Sequence, residues 1–131
     1  MAIQPDMVGV VVKDLNRAMA FYRLLGLAFK DVAADEDFVE VTTANGYRIS
    51  LNKQSMVEAL HGKFVAPARD ASQRMELAFK CGSPKEVDAT VEVLQRAGHE
   101  VVKPPWDAFW GQRYAVVADP DGTHVSLFAA L

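Results

Sequence analysis

The chain has 131 residues, 50% of them hydrophobic and 24% charged, with a formal net charge of −3. That length fits one globular domain with its own core, and the balance of apolar and charged residues excludes a disordered or collagen-like chain. With no long run of either charge, nothing recommends nucleic acid or an anionic membrane as a partner. Cys81 is the single cysteine, so no intrachain disulfide can form. No basic-then-apolar segment opens the sequence and no apolar run reaches membrane-spanning length. A cytoplasmic protein is expected.

Residues 7–13 form a nearly continuous apolar run rich in valine, too short for a helix and predicted as a buried strand. Asp14 follows with N-cap chemistry. Leu15, Ala18, Met19, Tyr22 and Leu25 then recur at helical spacing up to Gly26, where a left-handed cap is expected. Three strands are predicted next, over 28–32, 38–43 and 47–52, the last two joined by a tight turn at Asn45-Gly46. A linker over about 54–73 carries a short helix near 55–60 and a loop from Pro67 onward. The order then repeats. A strand over 75–81 leads to the capping box Ser83-Pro84-Lys85-Glu86, with proline at the first helical position. Val87, Val91 and Leu94 form the apolar stripe and Gly98 ends the helix. Strands are predicted over 100–103, 112–118 and 123–128, with Asp119-Pro120-Asp121-Gly122 as the last turn.

The reading is therefore an α+β chain of two βαβββ modules, at about 5–53 and 74–131, within a single domain of 1–131. Two stretches carry the repeat most plainly: Asn45-Gly46-Tyr47-Arg48-Ile49-Ser50-Leu51 and Asp121-Gly122-Thr123-His124-Val125-Ser126-Leu127. From Gly26 to Gly46 is 20 positions, and from Gly98 to Gly122 is 24. The extra residues fall in Pro104-Pro105-Trp106-Asp107-Ala108-Phe109-Trp110-Gly111, predicted as a rigid loop with an apolar surface.

Strand alternation sorts the side chains. Ile49, Leu51, Val125 and Leu127 are expected beneath the helices. Arg48, Ser50 and Asn52, with His124, Ser126 and Phe128, take the opposite face, and the repeat places Phe38 and Tyr114 beside them. Polar groups and aromatic rings on one face describe a wall that accepts a planar or amphipathic molecule. Trp106 and Trp110 either stack on such a molecule or cover the sheet edge as packing aromatics. Glu76 is either a solvated strand residue or an acceptor for a ligand's amine or hydroxyl. His124 reads as a wall residue, His61 and His99 as solvated, and Cys81 as a small buried hydrophobe. No nucleophile–base pair, phosphate-cradling loop or Cys/His zinc pattern is present.

Val12-Lys13-Asp14-Leu15-Asn16-Arg17-Ala18-Met19-Ala20-Phe21-Tyr22, then Leu25-Gly26-Leu27, then Asp119-Pro120-Asp121-Gly122, together resemble the vicinal-oxygen-chelate superfamily. That group holds glyoxalase I, extradiol dioxygenases, fosfomycin-modifying enzymes and bleomycin-resistance proteins. The resemblance covers essentially the whole chain. It implies a mixed sheet curled around a cleft, helices on the outer face, and a homodimer with shared clefts. The stretch Trp106-Asp107-Ala108-Phe109-Trp110-Gly111-Gln112-Arg113-Tyr114 looks most like the drug-sequestering branch, the mitomycin-binding resistance proteins in particular.

Metal-dependent members of the family place His or Glu near the start of each module's first strand and Glu on each fourth strand. The matching positions are Met7, Ser50, Glu76 and Ser126. A thioether, two hydroxyls and one carboxylate make a poor set for a hard divalent ion. The resemblance, with these departures, implies a protein without metal, cofactor or catalytic residues that sequesters a small aromatic or quinone-like compound, as in antibiotic resistance. Stacking is expected from Phe38, Trp106, Trp110 and Tyr114. Hydrogen bonds are expected from Arg48, Ser50, Asn52, Glu76 and Ser126, with Met7 as adaptable apolar contact. Two rivals remain at this point: a metal-dependent lyase, isomerase or dioxygenase with unusual ligands such as Glu76 and His124, and a dimeric scaffold with no small ligand.

Overall fold

The valine-rich run near the N-terminus pairs as a strand, β1 (Val8–Val12), in a computed structural model that describes residues 2–131. Asp14 caps helix α1 (Leu15–Leu24) by accepting the Arg17 N–H at 3.0 Å, and Gly26 beyond its end has φ 88°. Strands β2 (Phe38–Thr42) and β3 (Arg48–Lys53) follow, then helix α2 (Gln54–His61). The strand order is β1-β3-β2, with β3 parallel to β1 and antiparallel to β2. Val10, Val12, Val39, Ile49 and Leu51 are buried, as are Leu15, Ala18, Met19, Phe21 and Tyr22 of α1, which packs on β3. Phe21 and Tyr22 meet edge to face at 4.9 Å. Each such large apolar side chain contributes about 2 kcal/mol by leaving water. This is the first of two compact units, ending at Ala66; the second is Pro67–Leu131.

One expected strand of the first unit does not form. Residues 28–32 alternate in burial at first, with Leu27 and Phe29 inside, yet no ladder reaches them. Their backbone groups are used elsewhere. The Phe29 N–H donates to Leu27 O at 2.9 Å in a three-residue turn. Arg23 Nε donates to Phe29 O at 3.0 Å, and Arg23 Nη2 reaches Asp31 at 3.0 Å. A helix side chain has taken the carbonyl that a neighbouring strand would need, so the first unit is βαββ in its ordered strands.

The second unit keeps the full βαβββ order: β4 (Leu77–Lys80), α3 (Pro84–Arg96), β5 (Glu100–Ala108), β6 (Gln112–Ala118) and β7 (His124–Ala130). Met75 and Glu76, expected inside the first of these strands, lie just before it. The sheet runs β4-β7-β6-β5, with α3 against β5, β6 and β7. Ser83 caps α3 by accepting the Glu86 N–H at 3.2 Å, with Pro84 at the first helical position. Val87, Val91 and Leu94 are buried, as are Ala115, Val117, Val125 and Leu127 on the strands. Cys81 is buried too. Burial first, then the Glu86 charge, pushes its thiol above the ordinary value, against a hydrogen bond with Thr90.

The expected loop at 104–111 is mostly strand. β5 is an edge strand that runs on through Pro104 and Pro105 to Ala108, and its ladder to β6 slips between Val101 and Lys103 and again between Lys103 and Trp106. Bulges on an edge accommodate proline, because the residues there need not donate to a neighbour. Arg113 of β6 ties this edge to the helix. Its Nε and Nη2 donate to Asp88 of α3 at 2.9 and 3.3 Å, and Nη1 donates to Asp107 of β5 at 3.2 Å. The Asp88 contact above all raises the guanidinium pKa further.

The repeat extends to the turns. Thr43 N–H donates to Tyr47 O at 2.8 Å, and Asp119 N–H donates to Thr123 O at 2.9 Å. Each closes a three-residue loop whose last member is glycine in the left-handed region, Gly46 at φ 83° and Gly122 at φ 90°. The Thr43 hydroxyl accepts the Tyr47 N–H at 3.0 Å, and Asp119 Oδ1 accepts those of Asp121 and Thr123, both at 2.9 Å. The second turn is also covered: Arg69 Nη1 donates to Pro120 O at 2.6 Å and Gln73 Nε2 to Gly122 O at 3.2 Å. Among the described residues, no helix is long and apolar enough to cross a membrane.

Candidate functional site

The second unit's register builds a row of rings. β5 pairs Trp106 with Tyr114, and β7 pairs Phe128 with Tyr114. Tyr114 and Phe128 therefore share the face opposite Ala115, Val117, Val125 and Leu127. Their planes are 23° apart with centroids 6.4 Å apart. Trp106 meets Tyr114 at 5.5 Å and 67°. Trp110, at the hairpin after β5, touches both, 6.0 Å from Trp106 and 5.3 Å from Tyr114, each nearly perpendicular. Its Nε1 donates to Gln112 Oε1 at 2.7 Å, which holds the indole while 47% of the residue stays exposed. Phe109 adds a further ring 5.1 Å from Trp110. Edge-to-face pairs contribute about 1 kcal/mol each beyond burial, so these rings hold one another in place before any ligand arrives.

Glu76 lies at the hydroxyl end of Tyr114. The buried Ser126 donates to its Oε2 at 2.7 Å and the Tyr114 hydroxyl to its Oε1 at 3.2 Å. Lys103 of β5 places its Nζ 4.5 Å from the Trp106 ring centroid.

The first unit's face closes on itself. Arg48 donates to both carboxylate oxygens of Glu40, at 3.1 and 2.9 Å, and to Asp6 at 2.6 Å. Ser50 Oγ donates to Asn52 Oδ1 at 2.7 Å. Gly9, paired with Ser50, leaves room for that amide: a Cβ there would come within 2.9 Å of Asn52 Nδ2. Phe38 and Met7 are each 47% exposed, Phe38 opening β2 and Met7 just before β1.

Of the residues expected to bind, Met7, Phe38, Arg48, Ser50 and Asn52 thus lie in the first unit, and Glu76, Trp106, Trp110, Tyr114 and Ser126 in the second. Alternation gave the serines their face but not their depth. Ser50 and Ser126 are buried, at 2% and 0% exposure, and act on their neighbours instead of forming an open wall. Three residues of the ring surface were missed as site residues. Phe128 shares the parity of Ser126, a signal that was available. Lys103 reaches Trp106 across the bulged stretch of β5, and Gln112 anchors Trp110, and no local pattern announces either.

The ladders fix which positions match between units. Gly9 pairs with Ser50 as Ala78 pairs with Ser126, so Met7 corresponds to Glu76. In the first unit these places hold a thioether and a hydroxyl, and in the second a carboxylate and a hydroxyl, with the hydroxyl protons committed to Asn52 and Glu76. Neither pair supplies the ligands that a hard divalent ion needs. Among the described residues, no group of three or more His, Cys, Asp or Glu is placed to hold a metal.

In each unit the first strand runs parallel to the last, a helix follows that first strand, and an antiparallel neighbour flanks the last; this defines a duplicated βαβββ protein, the first copy lacking one strand. Residues 4–127 match the model of the Glyoxalase/Bleomycin resistance protein/Dioxygenase superfamily, and the chain belongs to that superfamily. An uncharacterized protein of Mycobacterium bovis is 34% identical over 83 residues, which are 63% of this chain and 52% of that protein. The same identity and stretch match an uncharacterized protein of Mycobacterium tuberculosis, over 46% of its length. The chain thus spans about half the length of the curated relatives it matches. Among solved structures, a hypothetical protein from S. aureus has a TM-score of 0.82 at 20% identity, covering 99% of this chain and 96% of that one. A glyoxalase/bleomycin resistance protein/dioxygenase family enzyme from Burkholderia phytofirmans PsJN has a TM-score of 0.80 at 20% identity, covering 96% and 98%. At that identity the two structures show the fold alone.

Proposed function

We propose that the chain binds a small planar aromatic or quinone-like compound on the ring surface of its second unit, without metal and without catalysis. Sequestration of such a compound, an antibiotic included, is then its role in a cytoplasmic homodimer. The observation that carries this reading is the run of Trp106, Trp110, Tyr114 and Phe128 beside an oriented carboxylate, Glu76. Rings that brace one another present a stacking surface with little ordering left to do on binding, which is where rigid sites gain affinity. The donor chemistry at Met7, Ser50, Glu76 and Ser126 supports the metal-free half of the proposal. Arg48, Ser50 and Asn52 of the first unit are left out of it, because their polar groups are engaged with one another and with Glu40 and Asp6.

Tryptophan fluorescence tests the reading. Mitomycin, bleomycin and simple planar quinones are expected to quench it saturably in the native chain, and Trp110→Ala is expected to abolish the effect. No saturable quenching across the whole set would overturn the proposal. Elemental analysis after dialysis tests the metal-free half: stoichiometric nickel, zinc, manganese or iron would contradict it and favour a metal-dependent lyase, isomerase or dioxygenase.

A further inference from the structure

We infer that the compound taken by this surface is a cation, a flat aromatic ring carrying a protonated or quaternary nitrogen. The inference rests on the binding reading above and narrows its ligand class.

Each carboxylate oxygen of Glu76 accepts one hydrogen bond from a neutral hydroxyl, Oε2 from Ser126 and Oε1 from Tyr114. Among the described residues none of the ion pairs includes Glu76. Glu40 of the first unit, by contrast, is closed by Arg48 at 2.9 Å. Hydroxyl donors orient a carboxylate without neutralising it, and an oxygen that accepts one hydrogen bond keeps a second lone pair. Ser126 is fully buried on β7, so the sheet itself fixes where the charge points.

The rings add a field of the same sign. Aromatic faces carry the negative part of the ring quadrupole and attract cations. Lys103 shows that attraction at work in this cluster, with its Nζ 4.5 Å from the Trp106 centroid; that face of Trp106 is thereby taken, and the ring faces left to a ligand are those nearer Glu76, beside Tyr114. A neutral flat ligand gains only stacking here. A cationic one gains stacking, the ring faces and the uncompensated carboxylate together, whereas an anionic one meets repulsion from Glu76.

The test uses two probes with one ring skeleton: N-methylacridinium, a permanent cation, and acridine, which is neutral at mildly alkaline pH. Both are titrated against the full chain and against Glu76→Gln, with tryptophan quenching as the readout and circular dichroism as the check of folding. The cation is expected to bind roughly tenfold more tightly than the neutral ring, and Glu76→Gln to bring that ratio toward one. Rising ionic strength should shrink the ratio in the native chain, an arm that holds even where the variant does not fold. Equal affinity for the two probes, or a ratio indifferent to both salt and Glu76→Gln, would overturn the cation inference and leave the ring-binding reading in place. Quenching by neither probe would overturn the cation inference, and the ring-binding reading falls with it where the mitomycin, bleomycin and quinone set also fails to quench.

Discussion

At the middle of the first sheet Glu40 stands across from Ser50, and at the matching place in the second sheet Val116 stands across from Ser126. Four further pairs follow from the same ladders: Met7 with Glu76, Phe38 with Tyr114, Arg48 with His124, and Asn52 with Phe128. In the first unit both acids of this face, Glu40 and Asp6, are ion-paired with Arg48. In the second the acid is the residue before the first strand, none of the ion pairs among the described residues includes it, and rings stand where the polar partners were. Duplication kept the positions, and substitution gave one copy a closed polar face and the other an aromatic face whose carboxylate is held by hydroxyls.

The helix-facing sides, by contrast, remain alike, and the largest effects test that half of the comparison. Leu51 and Leu127 occupy matching inward positions and are 0% and 1% exposed. Leu51→Ala and Leu127→Ala should each destabilise by about 3 kcal/mol in urea denaturation. A difference of several kcal/mol between them would break the equivalence of the two cores.

The turns should separate the units more finely. Both glycines have positive φ, but a Cβ on Gly46 would meet nothing within 4 Å, whereas one on Gly122 would lie 2.8 Å from Arg69 O. Gly46→Ala is expected to destabilise by about 1 kcal/mol, from backbone strain alone. Gly122→Ala should destabilise by about 2–3 kcal/mol, since the segment over the turn must also shift. Equal losses by thermal denaturation would mean that the Arg69 cover does not hold the turn.

The smallest difference is chemical. Cys81 takes in the second unit the inward place that Val12 has in the first. Burial raises its folded-state pKa, so between the ordinary thiol value and the raised one the native chain keeps a proton that the unfolded chain has released. The contribution to stability is complete below the ordinary thiol pKa and is lost as pH rises through the folded one. Cys81→Val should therefore flatten part of the alkaline decline in stability. An identical decline in both proteins would show that the thiol is not held neutral by the fold.

Much of this architecture was legible from residue order, and the failures have local causes. Asp14, Ser83, Gly26 and Gly98 announce the helix ends because caps depend on a few adjacent residues. Residues 28–32 carry strand-like alternation, but whether a strand forms depends on a partner, and the Phe29 carbonyl is bonded to Arg23 instead. Pro104-Pro105 reads as loop until the edge position and bulges of β5 are known. Within the candidate site, parity placed Ser50 and Ser126 on their face, while their burial and the bond from Ser126 to Glu76 depend on residues far away in sequence. The edge-to-face contacts of Trp110 with Trp106 and Tyr114 likewise depend on the hairpin's course, which the proline pair obscures.

Amide correlation spectra recorded during a titration with acridine test the contrast between the two faces most directly. Shifts are expected to centre on Trp106, Trp110, Tyr114 and Phe128, with the amides of Arg48, Ser50 and Asn52 unmoved. Shifts centred on the first unit, or spread equally over both, would contradict that contrast.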